Sequence, residues 1–190
     1  MGKIYRAAAL AATVVLGAGT THAQQVLTGD TKSACEAVLC LATGQRPSEC
    51  TPSLQRYFSI VRKKASDTLR ARSDFLSLCP SSNQTPQMQA LVSAQVNGAG
   101  QCDAQTLNSS LRSSTGGDSG IQYIRNQMPD YCITYYGHAY TDFRGREPAY
   151  VGLPSRGGYW VEASEYTAAL AQYNARVKAE DEAIKNYVSQ

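Results

Sequence analysis

Apolar residues are distributed along this chain in two ways, as one almost unbroken run near the start and as sparse stripes after it. The run, Ala7–Gly17, holds about a dozen residues, whereas a membrane-spanning helix needs roughly 20. Lys3 and Arg6 precede it, and the small-residue stretch Thr21-His22-Ala23 follows. That order is a secretory signal peptide over residues 1–23, with the mature chain beginning at Gln24. Beyond it the stripes have helical periods. Ser33 caps a short helix over Ala34–Thr43, with Ala34, Ala37, Val38 and Leu41 on one face and Gly44 ending it. Thr51-Pro52 opens a long helix, its stripe running through Val61, Ala65, Leu69, Phe75 or Leu76 and Cys79 to a stop at Pro80. A third helix opens at Thr85-Pro86 and closes at Asn97-Gly98, and Asp103 caps a fourth through Leu107 and Leu111.

The polar, glycine-rich stretch 113–120 is a loop. Ile121–Gln127 suits a short helix ended by Met128-Pro129, and most of Gly137–Gly158 is irregular. Tyr150-Val151 and Tyr159-Trp160-Val161 flank a Pro/Gly turn as a small hairpin. A long last helix starts near Ala163, carrying Tyr166, Leu170, Tyr173, Val177, Ile184 and Tyr187 at spacings of 4, 3, 4, 7 and 3, a heptad-like seam broken at Glu180. This seam packs on the domain or meets a partner. The expected fold is mainly α: a single disulfide-stapled helical domain over residues 24–190, with an irregular segment, a small β-hairpin and a long C-terminal helix.

Cysteine usage sharpens this picture. Cys35, Cys40, Cys50, Cys79, Cys102 and Cys132 all follow the apolar run, and an even set in an exported chain reads as a disulfide framework. Six cysteines allow 15 pairings, which sequence alone does not resolve. In a helix, Cys35 and Cys40 stand about 140° apart around the axis and about 8 Å apart along it, so they do not bridge each other. The expected pairs are Cys40–Cys50, Cys35–Cys79 and Cys102–Cys132. No close C-x-x-C pair is present and His138 is the one histidine of the mature chain, so neither a zinc site nor any cofactor is expected.

Charge changes the picture less. Lys3 and Arg6 are two of the 18 bases, which leaves 16 against 15 acids after export and gives no argument for a nucleic-acid partner. One local excess stands out: Arg56, Arg62, Lys63, Lys64, Arg70 and Arg72 face Asp67 alone across residues 56–72. Such a face is solvated, meets a partner's acidic patch, or binds phosphate or anionic lipid. Ten of the 12 tyrosines lie between Tyr123 and Tyr187, and Tyr159 with Trp160, the only tryptophan, form a second candidate contact whose competing role is core packing.

Catalytic chemistry has few places to reside. His138 lacks the surroundings of a nucleophile system, and oxidised cysteines offer no thiolate. A wall-cleaving glycosidase needs a carboxylic acid of raised pKa. Glu36 sits near a helix start, where the dipole acts the other way, and Glu49, beside Cys50, is the better acid but has no evident partner carboxylate. No catalytic residue is assigned, and the chain is read as a non-enzyme.

Several of these residues fall into a familiar arrangement. Cys35-Glu36-Ala37-Val38-Leu39-Cys40-Leu41, Arg46-Pro47-Ser48-Glu49-Cys50-Thr51-Pro52-Ser53-Leu54, Arg56-Tyr57-Phe58 and Ala71-Arg72…Phe75-Leu76…Leu78-Cys79-Pro80 resemble the TrbM/KikA family. A second block is similar too: Met128-Pro129…Tyr131-Cys132, His138…Tyr140, Pro148…Tyr150-Val151-Gly152 and Gly157-Gly158-Tyr159-Trp160-Val161. The resemblance implies a periplasmic accessory protein of plasmid conjugation, encoded with the mating-pair formation (type IV secretion) genes, with no known catalytic residue, cofactor or metal. Its partners would be protein components of the transfer apparatus, with no nucleic acid and no membrane span in the mature chain. A peptidoglycan-active hydrolase serving the same apparatus is the alternative.

Overall fold

The computed structural model describes residues 27–116 and 120–189. The expected signal peptide, residues 1–23, and its expected cleavage after Ala23 lie outside these residues. Seven helices and two short antiparallel hairpins make up the described part.

Helix α1, Gly29–Leu41, buries Ala34, Ala37, Val38 and Leu41, one face at helical spacing. It begins before Ser33, from an extended Thr28 that makes no side-chain cap, with Asp30 in the first turn where the dipole favours an acid. Helix α2, Thr51–Phe58, has proline in its first turn and buries Ser53 and Tyr57. Helix α3, Ala65–Leu76, buries Arg72, Phe75 and Leu76.

The single long helix expected after Thr51-Pro52 is thus two helices. Buried Ile60 follows α2, and an extended Lys64 precedes α3. Thr68 stitches the link between them, its Oγ1 accepting the Arg62 N–H at 2.8 Å. Disulfides explain why the chain must turn here. Cys35–Cys79 and Cys40–Cys50 both attach to α1, at positions about 8 Å apart along its axis. A continuous helix would hold Cys50 and Cys79 roughly 43 Å apart. Only a doubled-back segment satisfies both bridges.

Helix α4, Pro86–Gly98, is capped by Thr85, whose side chain accepts the Met88 N–H at 3.2 Å. It runs through the centre of the largest apolar cluster, burying Leu91, Val92, Ala94, Gln95 and Val96. At Gly98 the ring of Tyr135 lies where a side chain would begin, so only glycine lets α6, Asp130–Tyr136, pack this closely. Helix α5, Ala104–Ser110, is capped by Asp103. Strands β1, Arg112–Ser114, and β2, Gln122–Ile124, pair with Ser113 opposite Tyr123. The helix expected over Ile121–Gln127 is therefore a strand. Its isoleucine–tyrosine content suits a strand as well as a helix, and pairing with β1 decides.

Strands β3, Ala149–Val151, and β4, Tyr159–Val161, form the expected hairpin, with Tyr150 opposite Trp160. After a 3-10 turn at Ala163–Glu165, helix α7 runs from Tyr166 to Val188. Three buried clusters result. The first lies among α1 to α4 and α6; the second surrounds the Cys102–Cys132 bridge with Leu107, Leu111 and Trp160; the third joins Val151 and Val161 to Ala169 and Tyr173 of α7. No described helix is long and apolar enough to cross a membrane.

Candidate functional site

The basic residues of the 56–72 stretch do not share one helix face, because the turn between α2 and α3 separates them. Arg56 makes a two-pronged pair with Asp30, 3.2 and 3.1 Å, and holds that carboxyl below its ordinary pKa. Arg70 pairs with Asp67 at 2.8 Å. Arg62, Lys63 and Lys64 occupy the link, all exposed and without an acidic partner among the described residues.

Arg72 differs from all of these. It is only 8 % exposed, and its guanidinium stacks over Tyr57 and Phe58, 5.0 and 5.5 Å from the ring centroids. One amino group reaches the Phe58 carbonyl at 3.5 Å, Nε has no hydrogen-bond partner, and no described carboxylate lies within 4.0 Å. Buried arginines are normally paired with an anion, and ring stacking compensates a desolvated cation only in part.

Beside Arg72 the surface opens into a cleft of about 480 Å³. Val61, Ala65 and Leu69 make one wall, and Asn97, Gln101 and Tyr131 the other, with Thr68 completing the lining. Val61 is 64 % exposed at the lip. A second depression shares Leu69 and Asn97 with the first and continues along α3 and α4 past Ser73, Ser77, Asn83 and Ser93. The two form one trough, apolar with a buried cation at one end and polar at the other.

Of the sequence-predicted contact residues, the structure brings Arg62, Lys63, Lys64 and Arg72 to this cleft or its link, sets Arg70 on the lining of the second depression, and places Arg56, Tyr159 and Trp160 elsewhere. Trp160, 5 % exposed, is core. Its indole N–H donates to the Arg125 carbonyl at 3.0 Å, and Asn108 clips its backbone with two bonds of 2.7 Å. That geometry makes Trp160 part of the second cluster, with its small exposed remainder lining a depression beside Tyr159, and half-buried Tyr159 packs on the third cluster. Asn97, Gln101 and Tyr131 come from α4, its exit and α6, and no linear spacing pointed to them.

The catalytic candidates lie outside the trough. His138 Nδ1 accepts the Tyr140 N–H at 3.1 Å, within a loop. Glu36 pairs with Lys32, and Glu49 accepts from neighbouring Ser48 at 3.4 Å. Among the described residues, no three His, Cys, Asp or Glu side chains gather as a metal ion would require.

On α7, the heptad-like seam divides in two. Leu170, Tyr173 and Val177 pack on the third cluster. At the seam's polar break, Arg156 bonds Glu180 at 3.2 Å and Asp181 at 2.8 Å, and Arg176 also bonds Glu180. Beyond it Ile184 and Tyr187 are 60 % and 83 % exposed.

No curated protein and no solved structure matches the chain. The family model for TrbM matches residues 26–174, which include all six cysteines, both walls of the cleft and the Arg156 turn. With the three expected disulfides closed and the helical frame they staple in place, the chain belongs to the TrbM family, whose members are associated with conjugal transfer.

Proposed function

We propose that this protein is a non-enzymatic accessory component of plasmid conjugation, working in the periplasm through contacts with proteins of the type IV secretion apparatus. Membership of the TrbM family is the observation that carries this reading. Three disulfides suit an oxidising compartment, and the order of charge, apolar run and Ala23 suits export to it. The trough beside Arg72 supplies a surface for contact.

The test is mating. A donor deleted for this gene should lose transfer and regain it with the gene in trans, and the complementing protein, recovered from the periplasmic fraction, should begin at Gln24. Normal transfer from the deleted donor, or a cytoplasmic protein retaining Met1, overturns the reading. A zymogram on purified peptidoglycan should stay dark; a cleared band that vanishes in Glu49→Gln would make the protein a hydrolase instead.

A further inference from the structure

We infer that the cleft beside Arg72 is a recognition site for an acidic, apolar segment of a partner protein, with one partner carboxylate seated against the Arg72 guanidinium. This rests on the reading above that the protein acts through protein contacts.

Three observations converge on it. First, Arg72 is a cation only 8 % exposed that lines a 480 Å³ cleft, with no described carboxylate in reach and with its Nε sealed from solvent without a hydrogen-bond partner. The partner it lacks is an anion, and a carboxylate meets the edge of the guanidinium that faces the cleft through a charge-assisted hydrogen bond. Second, the walls over that floor are Val61, Leu69 and Tyr131, so the ligand must carry apolar surface as well as charge. Third, the trough runs on along α3 and α4 between hydroxyl and amide side chains, a surface that hydrogen-bonds an extended backbone.

Charge at the rim agrees. Arg62, Lys63 and Lys64 stand exposed and unpaired, among the described residues, on the link that bears Val61. They steer an acidic segment toward the opening. A nucleic-acid backbone fits less well. It needs a longer row of free surface cations than Arg62, Lys63 and Lys64 supply, and in this stretch Arg56 and Arg70 already hold Asp30 and Asp67 while Arg72 is sunk between two rings.

The experiment uses the mature, oxidised protein and two fluorescein-labelled hexapeptides, one alternating leucine with glutamate, the other leucine with glutamine. Fluorescence anisotropy should show the glutamate peptide binding at least about tenfold more tightly, the value of one charge-assisted hydrogen bond. Arg72→Gln should erase that preference. Because Arg72 also braces Tyr57 and Phe58, a second variant is needed: Val61→Glu, at the exposed lip, should weaken the glutamate peptide by a similar factor with unchanged melting. Equal affinity for the two peptides, no binding at millimolar peptide, or binding indifferent to Val61→Glu overturns the inference. So does a 20-base-pair duplex or a phosphatidylglycerol vesicle that binds in a Val61-sensitive way while the peptide does not. Mating separates this inference from the function it rests on. If deletion of the gene abolishes transfer but Val61→Glu supports it fully, the cleft is refuted and the function stands. If deletion itself has no effect, the function falls.

Discussion

At the scale of single residues, the aromatic side chains owe their roles to what their polar atoms find. Trp160 follows a double glycine, which suits either a close-packed core or a projecting anchor, and the paired bonds from Asn108 and the Arg125 carbonyl settle the choice. Trp160→Ala should therefore cost roughly 3–5 kcal/mol and deplete the protein, read by urea denaturation. A variant as stable as the parent would contradict the core role. Tyr135 carries a second consequence. Its hydroxyl donates to the Leu41 carbonyl at 2.6 Å, and burial pushes its pKa up to about 12, against about 10 for a free tyrosine. Burial likewise raises Tyr57 and Tyr136. Folding thus favours the protonated phenols. Their contribution to stability is complete below about pH 10 and falls as the pH rises toward 12, because the unfolded chain loses those protons first. Equilibrium unfolding should show stability declining across that window, and Tyr135→Phe should flatten the decline. An unchanged slope in Tyr135→Phe would place the alkaline sensitivity elsewhere.

At the scale of elements, α7 is two things in one helix. Its first half is held by Tyr173, whose ring covers Gly152 at a φ of 79°, where any side chain would collide, and whose hydroxyl accepts the Leu153 N–H at 3.0 Å. The Arg156 bonds to Glu180 and Asp181 close this half, and the family match has already ended at 174. Removing residues 182–190 should leave the melting temperature within about 2 °C, since exposed positions contribute little. Ending the chain at 172 should unfold the third cluster. If the short truncation melts as low as the long one, the tail is packed rather than free. The same helix shows what the sequence made legible. Its seam and the Glu180 break were readable in spacing, but which half packs depends on Arg156, 24 residues away. The α2–α3 turn is more instructive. The apolar stripe begins at Val61, inside that turn, and runs on to Cys79, so periodicity alone marks no break after the Thr51-Pro52 start and gives one helix. The expected disulfides already contradicted that reading, since two bridges to neighbouring turns of α1 forbid a straight rod between Cys50 and Cys79. Local pattern and long-range constraint were both present, and the constraint wins. The cleft was least legible: Arg72 was one basic residue in a run, and its burial between Tyr57 and Phe58 exists only once the turn is made.

At the scale of the whole molecule, each bridge spans a join that packing alone would leave loose. Cys40–Cys50 ties α1 to the start of α2, Cys35–Cys79 ties it to the end of α3, and Cys102–Cys132 ties the α4–α5 link to α6 within the second cluster. The first two fix the doubled-back segment that builds the cleft, so the proposed binding surface depends on oxidation as the fold does. Their separations of 10 and 44 residues predict unequal effects. In the chain-entropy account, closing the shorter loop restricts the unfolded chain by about 3 kcal/mol and the longer by about 4 kcal/mol. The double variant Cys35→Ala/Cys79→Ala should accordingly melt lower than Cys40→Ala/Cys50→Ala. It also frees the end of α3, on which Arg72 sits one turn before Leu76, so it should lose binding of the glutamate peptide while the second cluster stays protected from hydrogen exchange. A donor lacking its disulfide oxidase should accumulate little of the protein. Should the Cys35/Cys79 variant melt as high as the Cys40/Cys50 variant, loop closure is not what holds the doubled-back segment, and the packing of Phe75 and Leu76 against α1 and α4 suffices without it.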